Sequence, residues 1–180
     1  MNTNAKTGKL YIVATPIGNP KDITLRALEI LKKVDVVICE EYRLGSKLLH
    51  QLGVENELIT RNEHNRMMEA QNILLRLAKG ETMAIISDAG KPVFADPGQH
   101  LLEMLCQSGI PVSPIPGPAS LMAALSLCDF PITRFVFAGF PPRKTELREK
   151  FLSDYKSVNV PLILMDTPYQ IGRASCRERV

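Results

Sequence analysis

The chain lacks any apolar run near the roughly 18 residues needed to cross a bilayer, and Met1 to Lys9 has no apolar stretch of the kind that directs export. A cytoplasmic protein without a membrane partner is the resulting expectation. Its four cysteines, Cys39, Cys106, Cys128 and Cys176, form no CxxC pair and no cluster with histidine. That argues against a zinc framework and a disulfide scaffold, and no metal is expected. The first three cysteines read as buried free thiols. Nucleotide fingerprints are missing as well. Gly18 has no partner glycines at GxGxxG spacing, and Gly90 is not followed by the Lys-Ser/Thr end of a P-loop. A strong charge of one sign is also lacking. Of a formal net charge of +3, +2 belongs to 171–180, a segment that resembles a translated sequencing adapter and is expected to be a non-native tail. Net charge therefore carries no argument for nucleic acid.

What the chain does have is a pair of short apolar runs that each stop at a glycine-centred turn. Leu10-Tyr11-Ile12-Val13 runs into Ala14-Thr15-Pro16-Ile17-Gly18-Asn19, and Met83-Ala84-Ile85-Ile86 into Ser87-Asp88-Ala89-Gly90-Lys91-Pro92. Such runs read as buried parallel strands that deliver loops to their carboxyl ends, the edge where open α/β sheets bind ligands. Around them strands and helices alternate. Strands are expected at Leu10–Ala14, Val34–Cys39, Leu58–Thr60, Thr82–Ile86 and Ile110–Ile115. Helices are expected from Asp22 as cap through Leu31, with Leu25, Leu28 and Leu31 or Ile30 as its stripe, then over Ser46–Leu52, Met67–Lys79 and Gln99–Gln107. Repeated βα units argue an α/β fold with a mainly parallel, doubly wound sheet over residues 1–118. The small-residue helix Ala119–Ser126 and strands at Phe135–Ala138 and Val160–Met165 then open an incomplete second α/β domain over 119–170.

Several separated segments, in order, resemble the ribosomal RNA small subunit methyltransferase I family of the tetrapyrrole methylase-like superfamily. They are Leu10 to Asn19 with Asp22 to Leu28, Glu63-His64-Asn65, Ser87 to Gly90, Asp96-Pro97-Gly98, Pro114 to Pro118, and Gly139-Phe140 with Pro142-Arg143-Lys144. The resemblance implies a homodimer of two-domain α/β subunits that binds S-adenosylmethionine between the domains. It implies methyl transfer to the ribose 2′-hydroxyl of a cytidine in small-subunit (16S) ribosomal RNA, with that RNA or the ribosomal subunit as partner. The same architecture serves tetrapyrrole and other small-molecule methyltransferases, although the chain lacks the GxGPGD form of their first loop. A non-catalytic binding protein that keeps the cofactor fold is the third reading.

In-line transfer from a sulfonium depends on positioning, and glycines at the loop ends let backbone approach the cofactor. Gly18, Gly90 and Gly117, with Pro16 and Pro116 stiffening their turns, are the expected cofactor contacts, together with Asp88, Ala89, Ala119 and Ser120. A ribose hydroxyl is a poor nucleophile at neutral pH, so an acceptor for its proton is useful. Glu40, Glu41, His64 and Asp88 are the candidates for that catalytic role, and Asn19, Arg43, Asn65 and Lys144 for substrate contact. Structural readings stand beside these. Glu40 and Glu41 read equally as a solvated turn neutralised by Arg43, Asp88 as a side-chain turn former, and Asn65 as a helix cap. His50 and His100 read as partnerless surface residues.

Three segments depart from the family pattern. Glu41-Tyr42-Arg43 has Tyr where threonine is usual, Lys91-Pro92-Val93-Phe94-Ala95 replaces Thr-Pro-Gly, an aliphatic residue and Ser, and Asp166-Thr167-Pro168-Tyr169-Gln170 replaces Glu-Ser-Pro-His-Arg. Arg61, Arg66, Arg134, Arg143, Lys144, Arg148 and Lys150 are available for phosphate, with Tyr42, Phe94 or Tyr169 for base stacking.

Overall fold

Alternation of side chains along three short apolar strands decides the architecture. In β1 (Leu10–Val13), β2 (Val36–Cys39) and β4 (Met83–Ile85), nearly every residue is buried, as expected of parallel strands covered on both faces. Leu10, Ile12, Val36, Ile38, Met83 and Ile85 point into one core. Val13, Val37, Cys39 and Ala84 point into the other. The computed structural model describes residues 7–61, 66–93 and 99–166.

Helices α1 (Leu25–Lys33) and α2 (Tyr42–Leu52) cover the second core through Ala27, Leu31 and Leu49. Helices α3 (Arg66–Ala78) and α4 (Gln99–Gln107) cover the first through Ala70, Ile73, Leu77, Leu101 and Leu105. With β3 (Glu57–Thr60) and β5 (Val112–Ile115), the five strands stand in the order β3-β2-β4-β1-β5. All pairings are parallel. The connection leaving β1 goes to the face of α1, and the one leaving its neighbour β4 goes to the opposite face, with α4. Their carboxyl ends therefore flank a topological switch point, where such sheets open a crevice.

The expected doubly wound sheet is thus present, with local differences. The first helix is capped by Thr24, whose hydroxyl accepts the Ala27 N–H at 3.1 Å, and not by Asp22. Pro20–Asp22 form a separate 3-10 turn. Ala27 and Leu31 set the buried face, and Leu25 in the first turn points away from it, 82% exposed. At the amino edge of the sheet, Arg76 bridges Glu57 at 2.7 Å and Glu81 at 2.6 Å, and Asn56 donates to the Val34 carbonyl. Cys39 is buried as expected, but Cys106 and Cys128 are exposed: α4 turns Leu101 and Leu105 to the core in place of Cys106, and the segment around Cys128 buries no side chain. His100 is not partnerless. Its Nδ1 lies 3.9 Å from Glu103, one helical turn on.

The chain divides into two compact units between Ala124 and Leu125. The six-residue helix α5 (Ser120–Leu125) spans that point. In the second unit β6 (Val136–Gly139) and β7 (Leu162–Leu164) pair in parallel, and α6 (Thr145–Ser153) joins them. This βαβ unit contains a helix that the sequence pattern does not announce. Arg148 on α6 is held by Asp166 at 2.6 Å, so it is committed within the unit and not free for phosphate.

Candidate functional site

The two glycine turns are tied to each other. Thr15, directly beyond β1, donates its N–H to the Gly90 carbonyl at 2.8 Å, and Gly90 returns its own N–H to the Thr15 carbonyl at 3.1 Å. The buried Thr15 hydroxyl adds bonds to the Ser87 carbonyl at 2.9 Å and to the Gly90 carbonyl at 3.2 Å. Ser87 Oγ also donates to that carbonyl, at 3.1 Å. Gly90 has φ +83°, and a Cβ there would stand 3.3 Å from Ile17 Cγ2. Both the backbone conformation and the space thus select glycine.

The turn after β5 docks on the same spot. A Cβ on Gly117 would lie 2.9 Å from the Ala14 Cβ, so the absence of a side chain lets Pro116-Gly117-Pro118 lie against the end of β1. Gly18 differs. Its Cβ direction is open and its backbone is not left-handed, so nothing in the chain itself requires glycine there.

On the other flank of β4 the acidic residues gather. The Asp88 carboxylate lies near the main-chain N–H of Glu41, whose dipole favours its charged form, so the loop after β4 stands beside the loop after β2. Asp88 is exposed as a residue, yet its neighbours withdraw the carboxylate from water in part. That desolvation pushes its pKa up, and the charge of Glu41 adds to the effect. Glu41 caps α2, its Oε1 accepting the Arg43 N–H at 3.2 Å. The Arg43 guanidinium makes no ion pair among the described residues. The expected neutralisation of Glu41 by Arg43 is therefore a main-chain contact, not a charge pair. Beneath them the Cys39 thiol is pushed up to about 11, first by burial and then by the charges of Asp88, Glu41 and Glu40. Gly45 allows this packing, since a Cβ on it would meet Cys39 Sγ at 2.8 Å.

Pro16, Gly18, Asn19, Glu40, Glu41, Arg43, Asp88, Ala89, Gly90, Pro116 and Gly117 all belong to the loops at the carboxyl edge of this one sheet or to the first turn after them. Ala119 and Ser120 follow at the start of α5. Lys144 lies in the second unit, just before α6. His64 and Asn65 lie outside the described residues, as do Arg66's side chain, Phe94 and Tyr169. Val93, where the family usually has glycine, takes φ +71°. That is a glycine-like conformation, rare for a β-branched residue.

Residues 9–178 match the model of the tetrapyrrole (corrin/porphyrin) methylases. The chain belongs to the tetrapyrrole methylase family. Within that family it is 40% identical over 165 residues to the ribosomal RNA small subunit methyltransferase I of Neisseria meningitidis serogroup A, covering 92% of this chain and 57% of the relative. To the protein of the same name from Thermotoga maritima it is 40% identical over 164 residues, 91% of this chain and 73% of the relative. The Escherichia coli O157:H7 relative is 39% identical, again with 57% of its length covered. The chain thus spans little more than half the length of most of these methylase relatives. Among solved structures, the uroporphyrin-III C-methyltransferase of Thermus thermophilus superposes with a TM-score of 0.58 at 22% identity, over 88% of this chain and 68% of that one. A conserved hypothetical protein of Aeropyrum pernix K1 superposes at 0.63 and 22%, over 76% and 48%. Both likenesses concern the fold alone.

Proposed function

We propose that this chain carries the cofactor-binding part of an S-adenosylmethionine-dependent methyltransferase that acts, as a cytoplasmic homodimer, on the 2′-hydroxyl of a cytidine ribose in 16S ribosomal RNA. The observation that carries the reading is the Thr15–Gly90 bridge at the switch point, with the Asp88–Glu41 acidic corner beside it. The printed name shared by the relatives supplies the substrate class.

The residues fit the cofactor. A glycine with an open flank at 18 leaves room for a ligand against the backbone, and carboxylates at the sheet edge complement a cationic sulfonium and its amino group. When bound, S-adenosylmethionine supplies an electrophilic methyl group. The chain's own part is positioning and proton handling. The bridge fixes the loops after β1 and β4 relative to each other, which limits the geometries open to a bound substrate. Asp88 stands beside the Glu41 N–H, and the rise of its pKa by desolvation moves it toward the range useful for accepting a proton at neutral pH. Glu41 is engaged in capping, so Asp88 is the stronger acceptor for the ribose hydroxyl proton, with Glu40 next to it. Asn19, Arg43, Asn65 and Lys144 are assigned to substrate and His64 to an auxiliary acid-base role.

Methyl transfer from labelled S-adenosylmethionine to purified small ribosomal subunits tests this reading. The expected result is a single 2′-O-methylated cytidine, strongly reduced in Asp88→Asn. Cofactor binding without label in the RNA would overturn the ribosomal assignment.

A further inference from the structure

Helix α2 leaves the acidic corner and carries a face that the stability of the fold does not explain. Its sequence, YRLGSKLLHQL, contains Arg43 and Lys47 and no acidic residue. Exposed helices ordinarily mix signs at spacings of three and four. The other charged helices that bear lysine or arginine do so, with Glu29 in α1, Glu69 in α3, and Glu146 and Glu149 in α6. Arg43 also stands in the first turn, the positive end of the helix dipole, where a cation is disfavoured. Neither Arg43 nor Lys47 is ion-paired to a described carboxylate.

The face is open to solvent as well as basic. Tyr42, Arg43, Ser46, Lys47, His50 and Gln51, all on this one helix, line a shallow, open groove of about 490 Å³. A second hollow of about 370 Å³ shares Tyr42, Ser46 and His50 and ends at Glu55 and Asn56. Tyr42 is 55% exposed at the groove's upper end, directly after Glu41. From Arg43 to Gln51 the helix rises about 12 Å. An exposed aromatic above a line of cations is the combination that holds single-stranded nucleic acid, by base stacking and phosphate attraction together.

We propose that this face of α2 is an RNA-binding surface, which holds the backbone of single-stranded ribosomal RNA and leads it to the Glu41–Asp88 corner. The surface rests on the methyltransferase reading for its direction toward the corner, not for its existence. Tyr42 stacks on a base, and Arg43 and Lys47 each neutralise a phosphate.

Binding of a fluorescein-labelled, mixed-sequence 12-nucleotide RNA to the chain, followed by anisotropy across a salt series, tests the surface. Lys47→Gln is expected to weaken binding severalfold and to reduce the slope of log affinity against log salt by about 0.7, the value for one phosphate contact on a single strand. Tyr42→Ala is expected to weaken binding about tenfold or more with the slope unchanged. Lys79→Gln, exposed at the far end of α3 on the opposite face, is the control and leaves both quantities alone. Equal effects of Lys47→Gln and Lys79→Gln, no effect of Lys47→Gln, or no RNA binding by the parent chain would each overturn the surface. Calorimetric titration with S-adenosylmethionine separates the two readings. RNA binding that depends on Lys47 in a chain that takes no cofactor leaves the surface standing and removes the methyltransferase reading.

Discussion

Thr15 and Gly90, 75 residues apart, exchange both main-chain hydrogen bonds, and the Thr15 hydroxyl adds a third contact to the same carbonyl. Two loops that each look pliable in sequence are thereby one unit. Gly90→Ala is expected to lose about 1–2 kcal/mol, because alanine cannot rest at φ +83° without strain. Thr15→Val keeps the side-chain shape and the main-chain bridge but deprives two carbonyls of a donor, an expected loss of about 1–3 kcal/mol. Urea unfolding of each variant measures both, and cofactor affinity should fall further in Gly90→Ala than in Thr15→Val. Equal stability of Gly90→Ala and the parent would show that the bridge does not anchor the loop.

The contact between Gly117 and Ala14 allows a more selective test. Gly117→Ala places a Cβ 2.9 Å from the Ala14 Cβ, so the loop after β5 must move away from β1. Overpacking of this kind costs about 1–3 kcal/mol. Ala14→Gly removes the opposing methyl. The double variant should therefore be more stable than the sum of the two single losses, by a coupling energy of about 0.5–3 kcal/mol. Strict additivity in the double-mutant cycle would mean that the two residues do not press on each other.

Much of this architecture was legible in the sequence because the strands are short, apolar and bounded by glycine and proline. The alternation that sends Ile12 to one core and Val13 to the other is written directly in β1. The positions of helix starts were less legible. A stripe through Leu25, Leu28 and Leu31 fits helical period, but Pro20 forms its own turn, Thr24 caps, and the buried face centres on Ala27 and Leu31, which leaves Leu25 outside. Helix α6 has charges around most of its circumference and no clear apolar stripe, so no periodicity marks it. The acidic corner was partly visible, as carboxylates at strand ends. Its arrangement was not, since the approach of Asp88 to the Glu41 N–H depends on β2 and β4 being neighbours, a product of strand order and not of local pattern.

Two aspartates should respond to pH with opposite sign. Asp35 accepts the Thr82 N–H at 2.7 Å and the Thr82 hydroxyl at 2.8 Å, and these bonds hold its pKa below the ordinary 3.8. Its contribution to stability is full above 3.8 and is lost as pH falls through the folded value. Asp88 has a pKa raised above 3.8 by desolvation. Its protonated form suits the folded state, so its contribution is full below 3.8 and is lost as pH rises through the folded value. In unfolding curves taken from about pH 3 to pH 7, Asp35→Asn should lessen the acid loss of stability, and Asp88→Asn should lessen the decline on the rising side. A change of the same sign in both variants would contradict the assignment.

Thiol chemistry separates the three cysteines that the structure describes. Thiolate, not thiol, is the attacking species, so reactivity follows pKa and access. Cys39 is deficient in both, buried against Gly45 and α2 with its thiol pushed up to about 11. Cys106 and Cys128 are exposed. Brief treatment with iodoacetamide at about pH 8, followed by peptide mapping, should label Cys106 and Cys128 and leave Cys39 unmodified. In urea all three should react. Loss of the acidic neighbours gives the sharper measurement. Asp88→Asn removes the first-ranked of the charges that raise the Cys39 pKa while burial, the larger cause, remains. Labelling of Cys39 should stay slow in that variant at neutral pH and rise modestly only when the solution is made alkaline. Rapid neutral labelling of Cys39 in the native chain would instead mean that α2 opens from the end of β2, and with it the acidic corner that α2 helps to hold.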